Sequence, residues 1–220
     1  MDVEIKHKPG FAVIHANLLP GDSITAESDA MASMSTHLKV KTRFNGGLFK
    51  GLIKKYFGSE SLFINEFICP VGQKPGDITL TQPTPGDIEE MDLNGETFFL
   101  QPGAYIAHSG NVKLGVKWAG IASGINKEGF FKLAVSGRGK VYYGAYGCLF
   151  KKKVSGEFIV DTGHLVGYTS GLKLKLGLAG GIFSSFFGGE GLVTKVKGEG
   201  EIILQSRNLE ALGSLTSKLF

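Results

Sequence analysis

The 220-residue chain carries 24 lysines and arginines against 20 aspartates and glutamates, a formal +4, far short of the dense positive surface of a dedicated nucleic-acid binder. Its 33 glycines, about twice the usual proportion of roughly 7%, exclude a helical bundle, where each would cost about 1 kcal/mol of helix propensity, and point to many short strands joined by tight turns. The two cysteines, Cys69 and Cys148, sit in no C-x-x-C or Cys/His pattern, which excludes a disulfide framework and a structural zinc site and leads to the expectation of a reducing, cytoplasmic setting.

The N-terminus, MDVEIKHKPG, alternates charges and reads as no secretory signal. From Gly21, GDSITAESDAMASMSTHLKV predicts a turn, an alternating strand, a second turn, another strand and a Lys-bearing amphipathic strand. Next comes a stretch with helical spacing, in which Leu48, Phe49, Leu52, Ile53 and Tyr56 share one arc and Lys50, Lys54 and Lys55 the other. It predicts a basic amphipathic helix. Pro75-Gly76-Asp77 and Pro85-Gly86-Asp87 mark a turn-rich insertion.

From Gly95, GETFFLQPGAYIAHSGNVKL repeats the front half, and GEFIVDTGHLVGYTSGLKL repeats it again from Gly156. There Phe158, Val160, Leu165 and Tyr168 are flanked by Gly163 and Gly171 at turns, and Leu172 and Leu174 alternate with Lys173 and Lys175. Gly180 to Gly188 is a second short helical piece. The most apolar uncharged stretch, Leu176 to Gly189, spans 14 residues, short of the roughly 20 a transmembrane helix needs. A last helix is expected over 208–220, with Asn208 as N-cap and Leu209, Leu212, Thr216 and Leu219 on one side.

The back halves repeat as well. KLGVKWAGIASGINKEGFFKLAVSGRGKVYY from Lys113 resembles KLGLAGGIFSSFFGGEGLVTKVKGEGEIIL from Lys175, at an offset of 61 to 62 residues, and NGGLFKGLIKKYFGSESLFINEFICPVGQKPGDITL is an earlier, more degraded copy. The expectation is one domain over 1–220, made of three repeats over about 18–82, 92–146 and 154–207 plus the C-terminal helix. Period-2 patterning with one buried face predicts an all-β antiparallel sandwich or barrel.

The repeated glycine-bounded helix, the Glu128-Gly129-Phe130-Phe131 and Glu190-Gly191-Leu192-Val193 elements, and the Gly-x-Gly-x-Val/Ile strand resemble the family of altered inheritance of mitochondria protein twenty-four, in its short prokaryotic form, over about Val3 to Arg207. The resemblance implies a triplicated, pseudo-three-fold β-fold like that of the tryptophan RNA-binding attenuation protein and related to the double-stranded β-helix. It implies no catalytic residues. Eukaryotic relatives organise the mitochondrial inner membrane, a role that this short sequence without a visible transit peptide is not expected to share.

Chemistry is sparse along the chain. Gly137-Arg138-Gly139-Lys140 only approaches a phosphate loop and reads as a turn between strands, since its counterpart Gly198-Glu199-Gly200-Glu201 reverses the charge. The histidines His7, His15, His37, His108 and His164 lack metal-ligand spacing, though His108 and His164 with Asp161 leave a spatial meeting open. Glu60, Glu128 and Glu190 recur, one per repeat; they suit caps on backbone donors or, if symmetry gathers them, a cation. Lys50, Lys54 and Lys55, with the run Lys151, Lys152 and Lys153, are candidate anion contacts for lipid or RNA, or else a solvated helix face and a charged turn.

These readings combine into a non-enzymatic protein without cofactor that associates with itself, as a closed homo-oligomer such as a trimer, through apolar segments including Leu48, Phe49, Leu52, Ile53 and Tyr56. An RNA- or small-ligand-binding module and a peripheral membrane organiser are the alternatives.

Overall fold

The computed structural model describes residues 1–44, 63–101, 103–118, 131–178 and 192–217. Over these the chain is nearly all antiparallel β-structure. The strands are β1 (Asp2–Lys6), β2 (Val13–Leu18), β3 (Ser23–Glu27), β4 (Met31–Met34), β5 (Lys39–Phe44), β6 (Phe63–Ile68), β7 (Gly76–Leu80), β8 (Ile88–Leu100), β9 (Tyr105–Trp118), β10 (Phe131–Gly144), β11 (Leu149–Asp161), β12 (Leu165–Thr169), β13 (Leu172–Leu178) and β14 (Leu192–Gln205). One short helix, α1 (Leu209–Thr216), ends the described chain; Asn208 Oδ1 accepts the Ala211 amide at 3.2 Å, as an N-cap should. The helical pieces expected around Leu48–Tyr56 and Gly180–Gly188, and Leu219, lie outside the described residues.

The strands form a four-stranded sheet ordered β1-β2-β7-β4 and a ten-stranded one ordered β11-β14-β12-β8-β10-β9-β3-β6-β5, with β13 beside β14. Strand β10 pairs β8 on one side and β9 on the other, and β14 pairs β11 on one side and β12 and β13 on the other. The same arrangement surrounds β6 and β7, which meet β3 and β2 on one side and β5 and β4 on the other. One register slip recurs. Ala32 is skipped between Met31 and Ser33 opposite Leu80 and Thr79, Ile106 between Tyr105 and Ala107 opposite Tyr143 and Tyr142, and Val166 between Leu165 and Gly167 opposite Leu204 and Ile203.

Two lateral pairings join these groups of strands. Thr25 and Ala26 of β3 face His108 and Ala107 of β9, and Phe99 and Leu100 of β8 face Tyr168 and Gly167 of β12. The apolar alternation of the strands fills three clusters. The first combines Ile14, Leu18, Ile24, Phe67 and Leu80 with Ile88, Ile106 and Tyr142 from the following strands. The second combines Leu93, Phe98, Leu133 and Tyr143 with Val166 and Ile203, and the third joins Val154, Val160, Leu172, Val196 and Ile202.

Two sequence expectations are corrected. Gly137 to Lys140 is no turn; it lies inside β10, at a β-bulge between Ser136 and Arg138. Gly137 has φ +108°, and a Cβ there would stand 2.2 Å from Asn111 O, so glycine allows both the left-handed backbone and the approach of β9. Likewise, the Lys151-Lys152-Lys153 run is strand, not turn, because β11 pairs continuously with β14 from Leu149 to Asp161.

Candidate functional site: a free strand edge and a lysine face

Strand β11 ends its sheet. Among the described residues it pairs only with β14, so its outer row of backbone donors and acceptors has no strand beside it. Charged residues commonly blunt such an edge, and β11 carries three lysines in succession. Side chains alternate along a strand, so Lys151 and Lys153 share one face and Lys152 takes the other. Lys151 Nζ lies 3.2 Å from the Glu89 carboxylate, which also accepts the Tyr143 hydroxyl at 3.0 Å and has Lys8 Nζ 3.9 Å away. Lys152 Nζ lies 5.5 Å from the centre of the Phe158 ring. Lys153 is exposed and stands opposite Glu201.

The same strand shows water its apolar side chains: Phe150 is 49% exposed, Phe158 37% and Ile159 58%. Three large apolar side chains are thus uncovered on one edge strand.

Next to this edge is a lysine face that sequence reasoning missed. In the β13–β14 hairpin Lys173 is directly opposite Lys197, and Lys175 directly opposite Lys195; all four are exposed. Like charges so placed repel. Glu157 of β11 relieves one corner: Lys197 Nζ lies 3.0 Å from its carboxylate and holds that carboxyl below the usual range. The signal was present in the chain as two Lys-x-Lys triplets, at 173–175 and 195–197, but only the register turns them into a square.

Lys132 and His108 are among the buried ionisable groups of the described residues. Lys132 is 2% exposed, with Nζ 3.8 Å from the centre of the Tyr168 ring, and burial pushes its pKa down to about 7. His108 Nδ1 lies 2.7 Å from Tyr105 Oη, which in turn donates to Thr25 O at 3.3 Å, and burial lowers the His108 pKa to about 4.

Glu60, Glu128 and Glu190, together with Leu48, Phe49, Lys50, Leu52, Ile53, Lys54, Lys55 and Tyr56, lie outside the described residues. The structure does not bring His108 and His164 together with Asp161. His164 Nδ1 is 2.7 Å from Gln205 O, and Asp161 Oδ1 accepts the Gly163 amide at 2.7 Å. Among the described residues no three His, Cys, Asp or Glu side chains are placed to hold a metal ion, and no helix is long and apolar enough to cross a membrane.

The family model described as Mitochondrial biogenesis AIM24 matches residues 3–207. The chain belongs to the AIM24 family. Among its relatives is an uncharacterized protein of Streptococcus pyogenes serotype M6, 26% identical over 209 residues, spanning 91% of this chain and 83% of the relative. The X-ray structure of protein SPYM3_0169 from Streptococcus pyogenes superimposes with a TM-score of 0.79 at 26% identity, covering 100% of this chain and 99% of that one. The fold that the Streptococcus pyogenes structure shares with this AIM24-family chain is the antiparallel β-structure described above.

Proposed function

We propose that this AIM24-family chain is a non-catalytic, homo-oligomeric scaffold or interaction module built from three copies of one β-unit. The exposed Phe150, Phe158 and Ile159 on the free edge of β11 carry the self-association. The three-unit reading is supported by the central strand paired on both sides in each group and by the register slip at Ala32, Ile106 and Val166. A closed cyclic homo-oligomer such as a trimer is the form this reading favours. Light scattering at micromolar concentration tests it: a mass that is a multiple of 23.5 kDa is expected, and a strict monomer overturns it.

A second reading, a module that binds RNA or another anion, draws on the square of Lys173, Lys175, Lys195 and Lys197. Its test is retention of mixed RNA at low salt, lost in a variant carrying Lys175→Glu and Lys195→Glu. Unchanged retention in that variant removes the reading.

A further inference from the structure

The lateral pairing that joins one group of strands to the next is made twice within the chain, and its third instance is left open. The residues that make it can be placed by register. Met34 stands two residues beyond the slip at Ala32, as His108 stands beyond Ile106 and Tyr168 beyond Val166. Across the strands, the triads Thr25–Glu66–Lys41, Phe99–Ala134–Gly115 and Ile159–Lys195–Lys175 correspond, because their last members lie seven residues beyond Met34, His108 and Tyr168. Thr25 faces His108, and Phe99 faces Tyr168. Ile159 and Met34 are the pair left over.

Both halves of this missing contact are uncovered. Tyr105 and Leu165, which precede the slip in β9 and β12, are each 1% exposed, whereas Met31 at the same place in β4 is 40% exposed. Ala32 and Ser33 are exposed where Ile106, Val166, Ala107 and Gly167 are buried. On the other side Ile159 is 58% exposed. Strand β4 pairs only with β7 and β11 only with β14 among the described residues, so each offers a free row of backbone groups. One chain thus carries two different edges, each shaped for the other.

We infer that a second copy of this chain closes the contact: β11 of one copy docks on β4 of the next, with Ile159 opposite Met34 and Val160 opposite Ser33, continuing the register already used inside the chain. The inference rests on the self-association proposed above and specifies it as head-to-tail, in which each copy uses two distinct surfaces.

Two edge variants test it, Ile159→Lys on β11 and Ser33→Lys on β4. Both positions are exposed, so each variant is expected to keep the wild-type unfolding midpoint. By light scattering, each alone is expected to be a 23.5 kDa monomer. A 1:1 mixture is expected to form a dimer, because the first variant retains an intact β4 edge and the second an intact β11 edge. Variants that stay as oligomeric as the wild type overturn the head-to-tail contact while leaving self-association standing. A mixture that stays monomeric overturns it, and one variant that still associates alone overturns it in favour of a symmetric contact through its intact edge. A monomeric wild type overturns both readings.

Discussion

Lys132 Nζ lies 3.8 Å from the centre of the Tyr168 ring in the buried heart of the sheet, and Phe99 stacks on the same ring at 4.9 Å. The ammonium therefore keeps a cation–π partner while losing water, and the loss dominates, lowering its pKa to about 7 from 10.5. Between those two values the unfolded chain binds more protons than the folded one, so stability rises with pH from about 7 to above 10. Lys132→Met is expected to flatten that rise and to be the more stable protein at pH 7, by on the order of a few kcal/mol. Chemical denaturation of both proteins at pH 7 and pH 10 checks it; parallel pH dependences refute the assignment.

His108 gives the complementary acid window. Its pKa of about 4, lowered from 6.5 by burial, means that the unfolded chain takes up the extra proton as pH falls from 6.5 to 4. Stability is lost over that interval. Tyr105→Phe removes the hydroxyl between His108 Nδ1 and Thr25 O and is expected to cost about 1–3 kcal/mol, the usual penalty for stranding a buried polar group. Thermal unfolding at pH 7 measures it.

Gly137 and Gly115 form a matched comparison. Gly137→Ala places a Cβ 2.2 Å from Asn111 O at a φ of +108°, and the required shift of β9 is expected to cost about 2–4 kcal/mol. Gly115, in the same β9–β10 pair, has nothing within 4 Å of where an added methyl would stand. Gly115→Ala is expected to change stability by less than about 1 kcal/mol, and equal losses at the two sites would contradict the close-approach explanation.

The lysine square makes a salt prediction. Lys195→Glu sets a carboxylate opposite Lys175 and is expected to raise stability by about 0.2–1 kcal/mol at low salt. Added salt screens the wild-type repulsion, so the difference between the two proteins is expected to shrink in denaturation curves from about 0.02 to about 0.5 M salt. A difference that is unchanged or grows contradicts the repulsion.

Legibility in the sequence tracked how local the cause was. The alternation Leu172-Lys173-Leu174-Lys175 announces a half-buried strand because the two-residue period of side chains is built into the backbone. Asn208 before Leu209 announces a helix start because its cap bond spans only three residues. Gly137-Arg138-Gly139 misled because a glycine needed for a turn and one needed for a bulge look the same in sequence; the difference is the carbonyl of Asn111 on another strand. Pro85-Gly86-Asp87 likewise read as part of a turn-rich insertion, whereas Gly86 forms a bridge with Gly147, on a segment three long strands further along the chain.

By itself, then, the amino-acid sequence determined the strand class, the family and the C-terminal helix, all of which follow from periodicity, glycine spacing and caps within a few residues. Only the tertiary structure decided that four lysines from two strands form one face, that Lys132 is buried against Tyr168, and that β4 and β11 are among the strands that end a sheet in the described residues. The reason is register: which residues meet across strands depends on hydrogen-bonded pairing between distant segments, and a shift of one residue would turn every one of those side chains to the opposite face.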